Sequence, residues 1–130
     1  MQVVLGVTGK YCSGKSRVVR ILAEKGFEAI DVDKIGHEAL HRCSTQVLEK
    51  FGSRIKQGEV INRRKLGAIV FADERARLEL EKILHPVMFA MINSKIRTVK
   101  GPVVIDAALL HRIGLHQLCQ LVVWVSAPLY

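Results

Sequence analysis

Cysteine is scarce in this sequence: the chain has three, Cys12, Cys43 and Cys119, which are far apart and form no paired metal-binding spacing. An odd number of scattered cysteines argues against a disulfide framework and indicates a reducing compartment. Long apolar runs are also missing, because the longest one near the end, residues 121–125, has only the length of a strand. The N-terminal apolar segment is too short for a secretory signal. We therefore expect a soluble cytoplasmic protein with no membrane partner.

Aromatic and acidic residues are few as well. Aromatic residues make up 5% of the chain, and 12 Asp and Glu face 20 Lys and Arg, which gives a formal net charge of +8. Such an excess of positive charge is typical of nucleic-acid binding, but here the basic residues are scattered along the chain. Their one tight cluster, residues 63–65, lies at a predicted helix start. Few aromatic side chains are available to stack on bases. The charge therefore favours anionic small molecules, and nucleic acid is not an expected partner.

The length of the chain and its content of apolar residues are typical of one globular domain. The chain has 130 residues, 49% of them hydrophobic, and we predict a single domain over residues 1–130. Apolar runs at 3–7, 103–106 and 121–125 predict strands, and residues 28–33, which end in two carboxylates, predict a further short strand; helical periodicity lies between them. Strands that alternate with helices predict an α/β fold, a three-layer α/β/α sandwich around a parallel sheet.

Local signals predict where several helices begin and end. Gly26 is expected to cap the first helix at its C-terminus, and Asp73 to cap a later helix at its N-terminus. Residues 52–58 have turn composition, and apolar residues within 66–71 mark a helix. Pro86 is predicted to open a further helix, because proline is tolerated in a first turn.

The most informative motif is GKYCSGKS at residues 9–16, in which two glycines separated by four residues precede Lys-Ser. With a predicted strand before it and a helix after it, the motif indicates a phosphate-binding loop rather than a chance glycine turn. Lys15 would reach the β- and γ-phosphates of ATP, and the Ser16 hydroxyl would bind Mg²⁺. The residues predicted to bind the ATP phosphates are Gly9, Cys12, Ser13, Gly14, Lys15, Ser16 and Arg17.

A second acidic signal follows the predicted strand at 103–106, which ends in Asp106. In a phosphate-loop protein, a buried strand presents a carboxylate to the Mg²⁺ shell at this place, so we assign Asp106 to Mg²⁺, through water. Asp33, His37 and His41 follow one another at four-residue steps and could share a helix face. That spacing can bind metal, but no further ligand is evident, and zinc is the less favoured interpretation.

Taken in order, the motifs resemble the dephospho-coenzyme A kinase family along the whole chain. The residues that carry the resemblance are 6–9 with 13–16, 30–33 with Ile35 and His37, Gly58 with Ile61 and Arg63, 70–73, 84–86, 104–106 with 109–110, and 123–128. The resemblance implies a P-loop NTPase-like nucleotide kinase core with a helical acceptor-binding insertion at about residues 34–100. It also implies ATP-dependent phosphorylation of the ribose 3′-hydroxyl of dephospho-CoA, the last step of coenzyme A biosynthesis, with Mg²⁺.

The resemblance implies roles for individual residues. Asp33 would be the catalytic base, or the group that orients the 3′-hydroxyl; the alternative is a helix cap. Lys15 would be catalytic too. His37 would lie near the acceptor, and Arg63 would pair with its phosphate or form only a surface salt bridge. His85 would line the acceptor pocket, or be a buried histidine bonded to backbone.

Four departures from the family pattern accompany these matches. The loop has Lys-Tyr-Cys at 10–12 where glycines are usual, Phe89 replaces an arginine, and residues 108 and 111–112 differ as well. Family members also continue past Tyr130 into arginine-bearing lid helices and a last strand. The alternative expectation is therefore a catalytically inactive nucleotide-binding module or truncated remnant. A third possible function is that of a different small-molecule or nucleotide kinase.

Overall fold

The computed structural model describes residues 2–10 and 14–126. They form six strands and six α-helices, with short 3₁₀ turns at Gly52–Ile55 and Leu115–Leu118. In chain order the elements are β1 (Val4–Gly9), α1 (Lys15–Glu24), β2 (Glu28–Asp31), α2 (Val32–Arg42), α3 (Ser44–Phe51), β3 (Lys56–Gln57), β4 (Val60–Ile61), α4 (Arg63–Ala72), α5 (Glu74–Thr98), β5 (Val103–Asp106), α6 (Leu110–Ile113) and β6 (Leu121–Val125). None of these helices is long and apolar enough to cross a membrane.

Two compact units divide the chain. The sheet unit comprises residues 1–35 and 89–130, and the helical unit comprises residues 36–88. The single domain predicted over 1–130, with its insertion at about 34–100, stays a prediction.

The sheet unit is built on a parallel sheet in the order β2-β5-β1-β6, as the alternation of strands and helices predicts. Its central strands carry β-branched side chains, and Val7, Val104 and Ile105 are fully buried. Helix α1 packs Val18 and Leu22 against one face. The predicted α/β fold with a parallel sheet is confirmed.

The opposite face of the sheet lies against α6 and the 3₁₀ turn after it. A methyl group placed on Gly6 would meet Leu110 Cδ1 at 2.6 Å and Cys119 Sγ at 2.9 Å. Glycine is therefore required at this point of close approach. Burial of the Cys119 thiol raises its pKa to about 11, which keeps it protonated at neutral pH.

The predicted helix caps are confirmed at both positions. After α1, Gly26 has a φ of 99°, its N–H donates to the Ala23 carbonyl, and the Phe27 N–H donates to the Leu22 carbonyl. This pair of bonds is a Schellman motif, which ends the helix. Before α5, Asp73 Oδ1 accepts from the N–H of Arg75 at 2.9 Å.

The second strand ends earlier than predicted. β2 stops at Asp31, and α2 begins at Val32 rather than at Lys34. Asp31 Oδ1 accepts a hydrogen bond from the N–H of Asp33 at 3.0 Å, so the cap of α2 is Asp31. The alternative that Asp33 caps this helix is wrong, because Asp33 already lies inside the first turn.

The helical unit has its own core. Its structure confirms the helix predicted within residues 66–71, which lies in α4, and corrects the turn predicted at residues 52–58. Val47 and Ile55 are fully buried, with Phe51 and Leu66 beside them. Residues 52–58, predicted only as a turn, contain a 3₁₀ turn and β3, one strand of the antiparallel β3–β4 hairpin. Phe71 is 95% exposed, because it lies one residue beyond the Leu66, Ile69 and Val70 face that packs on the core.

Pro86 does not begin a helix. It lies inside α5, which is continuous from Glu74 to Thr98 over 25 residues. Proline removes one backbone donor, which normally interrupts a helix. Here Ile83 and Leu84 before it and Val87 after it pack on the same core, and their burial offsets the lost bond.

Candidate active site

The ends of the predicted phosphate loop lie where the motif requires them. β1 ends at Gly9 and α1 begins at Lys15. Between them Gly14 adopts a left-handed conformation with φ of 98°, which glycine allows without strain. Its carbonyl accepts from the N–H of Arg17 at 3.1 Å and so starts the helix. The predicted phosphate ligands Cys12 and Ser13 lie outside the described residues.

Lys15 and Asp106 form an ion pair in the sheet unit. The Lys15 Nζ donates directly to Asp106 Oδ1, and the two side chains are only 20% and 19% exposed. Asp106 is the last residue of β5, opposite Val7 of β1 and Asp31 of β2 in the sheet register. The parallel sheet thus brings together the two residues that the sequence assigns to phosphate and Mg²⁺. The sequence does not predict that Lys15 and Asp106 pair directly with each other; the structure shows this.

Thr8 is a positioning residue that sequence reasoning missed. It is the buried polar residue of the described core, at 1% exposure, and its hydroxyl donates to the Ala108 carbonyl at 3.1 Å. The Ala107 N–H donates to the Val7 carbonyl at 3.1 Å. These bonds hold the chain after β5 against β1 and so help to keep Asp106 beside Lys15. One threonine within an apolar strand carries no signal of this role.

The remaining predicted residues of the sheet unit are accessible. Ser16 and Arg17 lie exposed in the first turn of α1. Asp33 is exposed, and no hydrogen bond or ion pair engages its carboxylate among residues 2–10 and 14–126. Ser16 therefore presents a hydroxyl and Asp33 a carboxylate to solvent, both available to a ligand.

In the helical unit, one cavity brings His37 and Arg63 together. It has a volume of about 370 Å³ and lies among α2, α3, the β3–β4 hairpin and the start of α4; we call it the α2–α4 cavity. Its lining residues are His37, Leu40, His41, Ser44, Leu48, Glu59, Val60, Ile61 and Arg63. This volume is at the lower end of the range of roughly 300–1,000 Å³ typical of small-molecule sites.

His85 does not line that cavity. The structure places it, half-buried, in a separate groove with Arg75, Glu79, Lys82 and Pro86. All residues of this groove lie on α5. A single helix cannot enclose a ligand, so His85 and the His37–Arg63 pair belong to different surfaces of the helical unit.

Asp33, His37 and His41 all lie on α2 at the predicted four-residue steps. Nevertheless, no group of three or more His, Cys, Asp or Glu side chains within the described ranges is arranged to hold a metal ion.

Comparison with known proteins supplies the family. A family model described as dephospho-CoA kinase matches residues 3–130. The chain belongs to the dephospho-CoA kinase family. The resemblance that its motifs indicate is therefore confirmed.

Comparisons with individual proteins agree with this assignment. The dephospho-CoA kinase of Borreliella burgdorferi is 34% identical over 127 residues, which cover 95% of this chain and 62% of that protein. The dephospho-CoA kinase of Bacillus licheniformis is 38% identical over 140 residues, covering 99% of this chain and 69% of that protein. The crystal structure of TT1252 from Thermus thermophilus aligns at a TM-score of 0.86 and 25% identity, covering 98% of this chain and 66% of the other. The chain thus spans between 62% and 69% of the length of these proteins.

Three polar residues of the α2–α4 cavity, His41, Ser44 and Glu59, are absent from the acceptor site predicted from the sequence. His41 is interpreted there only as a possible metal ligand. His41 had a detectable signal, because it lies one helical turn beyond His37 on the same face. Glu59 had none, since the hairpin that carries it was not predicted.

Proposed function

We propose that this chain carries the phosphate-binding and acceptor-binding parts of a kinase that transfers the γ-phosphoryl group of ATP to the ribose 3′-hydroxyl of dephospho-CoA. The observation that carries the proposal is the Lys15–Asp106 pair at the adjoining ends of β5 and α1, in a member of the dephospho-CoA kinase family. ATP and dephospho-CoA are the proposed partners. A cytoplasmic location remains a prediction.

The phosphate end of ATP would bind at the start of α1. Lys15, with one of its ammonium hydrogens on Asp106, keeps further donors for phosphate oxygens, and Gly14, Ser16 and Arg17 surround the same turn. Gly9 ends the strand that leads into the loop. This local positive charge suits a polyphosphate.

The oxygen donors near Lys15 fit Mg²⁺. Mg²⁺ prefers oxygen ligands and keeps several of its waters, and the Ser16 hydroxyl and the Asp106 carboxylate are donors of that kind. Ser16 would bind the ion directly and Asp106 through water. When bound, Mg²⁺ neutralises charge on the transferring phosphoryl group.

Asp33 would take the proton of the acceptor hydroxyl or orient that hydroxyl. Its carboxylate is exposed and has no partner in the described part of the chain, whereas the neighbouring Asp31 is committed to capping α2. A free carboxylate after the carboxyl end of a strand lies where open α/β sheets bind ligands. The two aspartates therefore divide the structural and the catalytic task.

The acceptor would use the helical unit. His37 and Arg63 line one cavity and supply hydrogen-bond donors for a phosphorylated ligand. His85 lies in the α5 groove, so we place it outside this cavity. In this proposal His85 contacts the acceptor only outside the α2–α4 cavity.

The test compares Asp33→Asn with Asp31→Asn in dephospho-CoA-dependent ADP formation from Mg-ATP. Asp33→Asn should lower turnover roughly 100-fold or more, because a general base is removed, while ATP binding stays intact. Asp31→Asn should remain active, since asparagine is as good a helix cap as aspartate. Equal activity of Asp33→Asn and the parent chain would refute the role of Asp33. ATP binding without any turnover in the parent chain would instead support an inactive nucleotide-binding module.

A further inference from the structure

The α2–α4 cavity contains more polar groups than the proposed function uses. Besides His37 and Arg63, the side chains of His41, Ser44 and Glu59 line it. None of these five side chains has a hydrogen-bond or salt-bridge partner among residues 2–10 and 14–126. Five unpaired polar side chains facing one cavity are therefore available to a ligand.

The neighbouring polar residues behave differently. Asn62, next to Arg63, donates to Gln57 Oε1 at 2.6 Å and caps α4 through the N–H of Lys65. In the α5 groove, Glu79 pairs with Lys50 at 3.3 Å. These polar side chains outside the cavity already have partners within the protein, whereas the five that line the cavity have none in the described part of the chain.

The charges and the floor of the cavity define a ligand class. His37, His41 and Arg63 supply N–H donors, and a histidine can donate whether it is neutral or charged. The floor is apolar, with Leu40, Leu48 and Ile61 half-buried and Val60 still 66% exposed. Donors suited to phosphate beside an uncovered apolar surface fit a phosphoryl group carried on a partly apolar chain.

We infer that the α2–α4 cavity binds the end of the acceptor where its diphosphate meets the pantetheine arm, and that His41 is an additional phosphate-binding residue there. This inference rests on the proposed function, since dephospho-CoA contains that combination of groups. Glu59 is the carboxylate of the cavity. It would accept from an amide N–H of the arm and disfavour ligands with further negative charge.

The experiment titrates the full 130-residue chain with 4′-phosphopantetheine, with pantetheine and with dephospho-CoA, and measures heats of binding. In His41→Ala, affinity for the two phosphorylated ligands should fall roughly tenfold, as expected for a lost hydrogen bond to a charged group. Affinity for pantetheine should not change. His41→Gln keeps a donor and should recover part of the loss.

The matched control is His116→Ala, which removes an exposed histidine that does not line the cavity. It should bind all three ligands like the parent chain. Circular dichroism on each variant separates loss of binding from loss of fold, and His41 is exposed, so the fold should survive.

Two results would overturn the inference. The first is unchanged affinity of His41→Ala for 4′-phosphopantetheine while the parent chain binds dephospho-CoA; the proposed function would then survive alone. The second is an equal loss for pantetheine and 4′-phosphopantetheine, which would show that His41 contacts the arm and not the phosphate. A parent chain that binds no dephospho-CoA would refute the inference and the acceptor assignment together.

Discussion

The sheet unit and the helical unit hold their candidate residues by different means. In the sheet unit, Lys15 and Asp106 meet because neighbouring parallel strands end at one edge, and Thr8 locks the chain after β5 in place. In the helical unit, His37 and Arg63 meet because three helices and a hairpin pack around a small core. Backbone register fixes the first site, and side-chain packing fixes the second. Substitutions in the two units should therefore separate phosphate binding, acceptor binding and stability.

The largest effect is expected from Lys15→Ala. ATP affinity should fall on the order of 100-fold, because a charge-assisted contact to phosphate is lost. Acceptor binding by the helical unit should not change. Fluorescence titration with a labelled ATP analogue measures the effect, and Lys25→Ala, at the other end of α1, is the control. Equal ATP affinity in both variants would contradict the phosphate role of Lys15.

Next in size is Gly6→Ala in the sheet unit. The free energy of unfolding should fall by about 1–3 kcal/mol, because the added methyl group overlaps the side chains of the buried Leu110 and the half-buried Cys119. Urea denaturation measures the change. Gly101→Ala is the control, since an added methyl group there has no neighbour within 4 Å. If the two variants were equally stable, the sheet face would not be closely covered at Gly6.

Arg63→Ala should weaken only the binding of dephospho-CoA, the ligand proposed for the helical unit. Dephospho-CoA affinity should fall roughly tenfold through loss of a hydrogen bond to a charged group, with ATP affinity unchanged. Arg64→Ala is a close control, because Arg64 is exposed on the same helix but does not line the cavity. Calorimetric titration of both variants decides the matter. Equal losses in the two variants would indicate general electrostatic attraction rather than a site.

The smallest effect should be a gain in stability from Gly67→Ala. Gly67 lies within α4 and has open space where a methyl group would go, so the free energy of unfolding should rise by about 0.5–1 kcal/mol. Gly52→Ala in the same unit should lower it, since Gly52 has a φ of 70°. Urea denaturation that showed the same sign for both substitutions would contradict the backbone geometry of this unit.

The same contrast explains what could be predicted from the sequence. The alternation of strands and helices along the chain and the caps at Gly26 and Asp73 depend on a few neighbouring residues, and both follow from local sequence pattern. The proximity of Asp106 to Lys15, which follows the end of β1, reflects a general property of parallel sheets. The sheet unit was therefore largely predictable.

The helical unit was less predictable, because its features depend on tertiary packing. Pro86 reads locally as a helix start, but burial of the residues on both sides carries α5 through it. His41 and Glu59 are 18 residues apart and meet only after the hairpin forms beside α2. No local pattern encodes that meeting. The position of Asp33 was missed for a smaller reason, since Asp31 and Asp33 are alternative caps in sequence and the hydrogen bond decides between them.

The most direct test of the account is to incubate the chain with Mg-ATP and dephospho-CoA and identify the product by mass spectrometry. The account predicts CoA, phosphorylated at the ribose 3′-hydroxyl, and its disappearance in Asp33→Asn. Absence of CoA from a folded chain that binds both ligands would contradict the claim that these two units contain the groups needed for transfer.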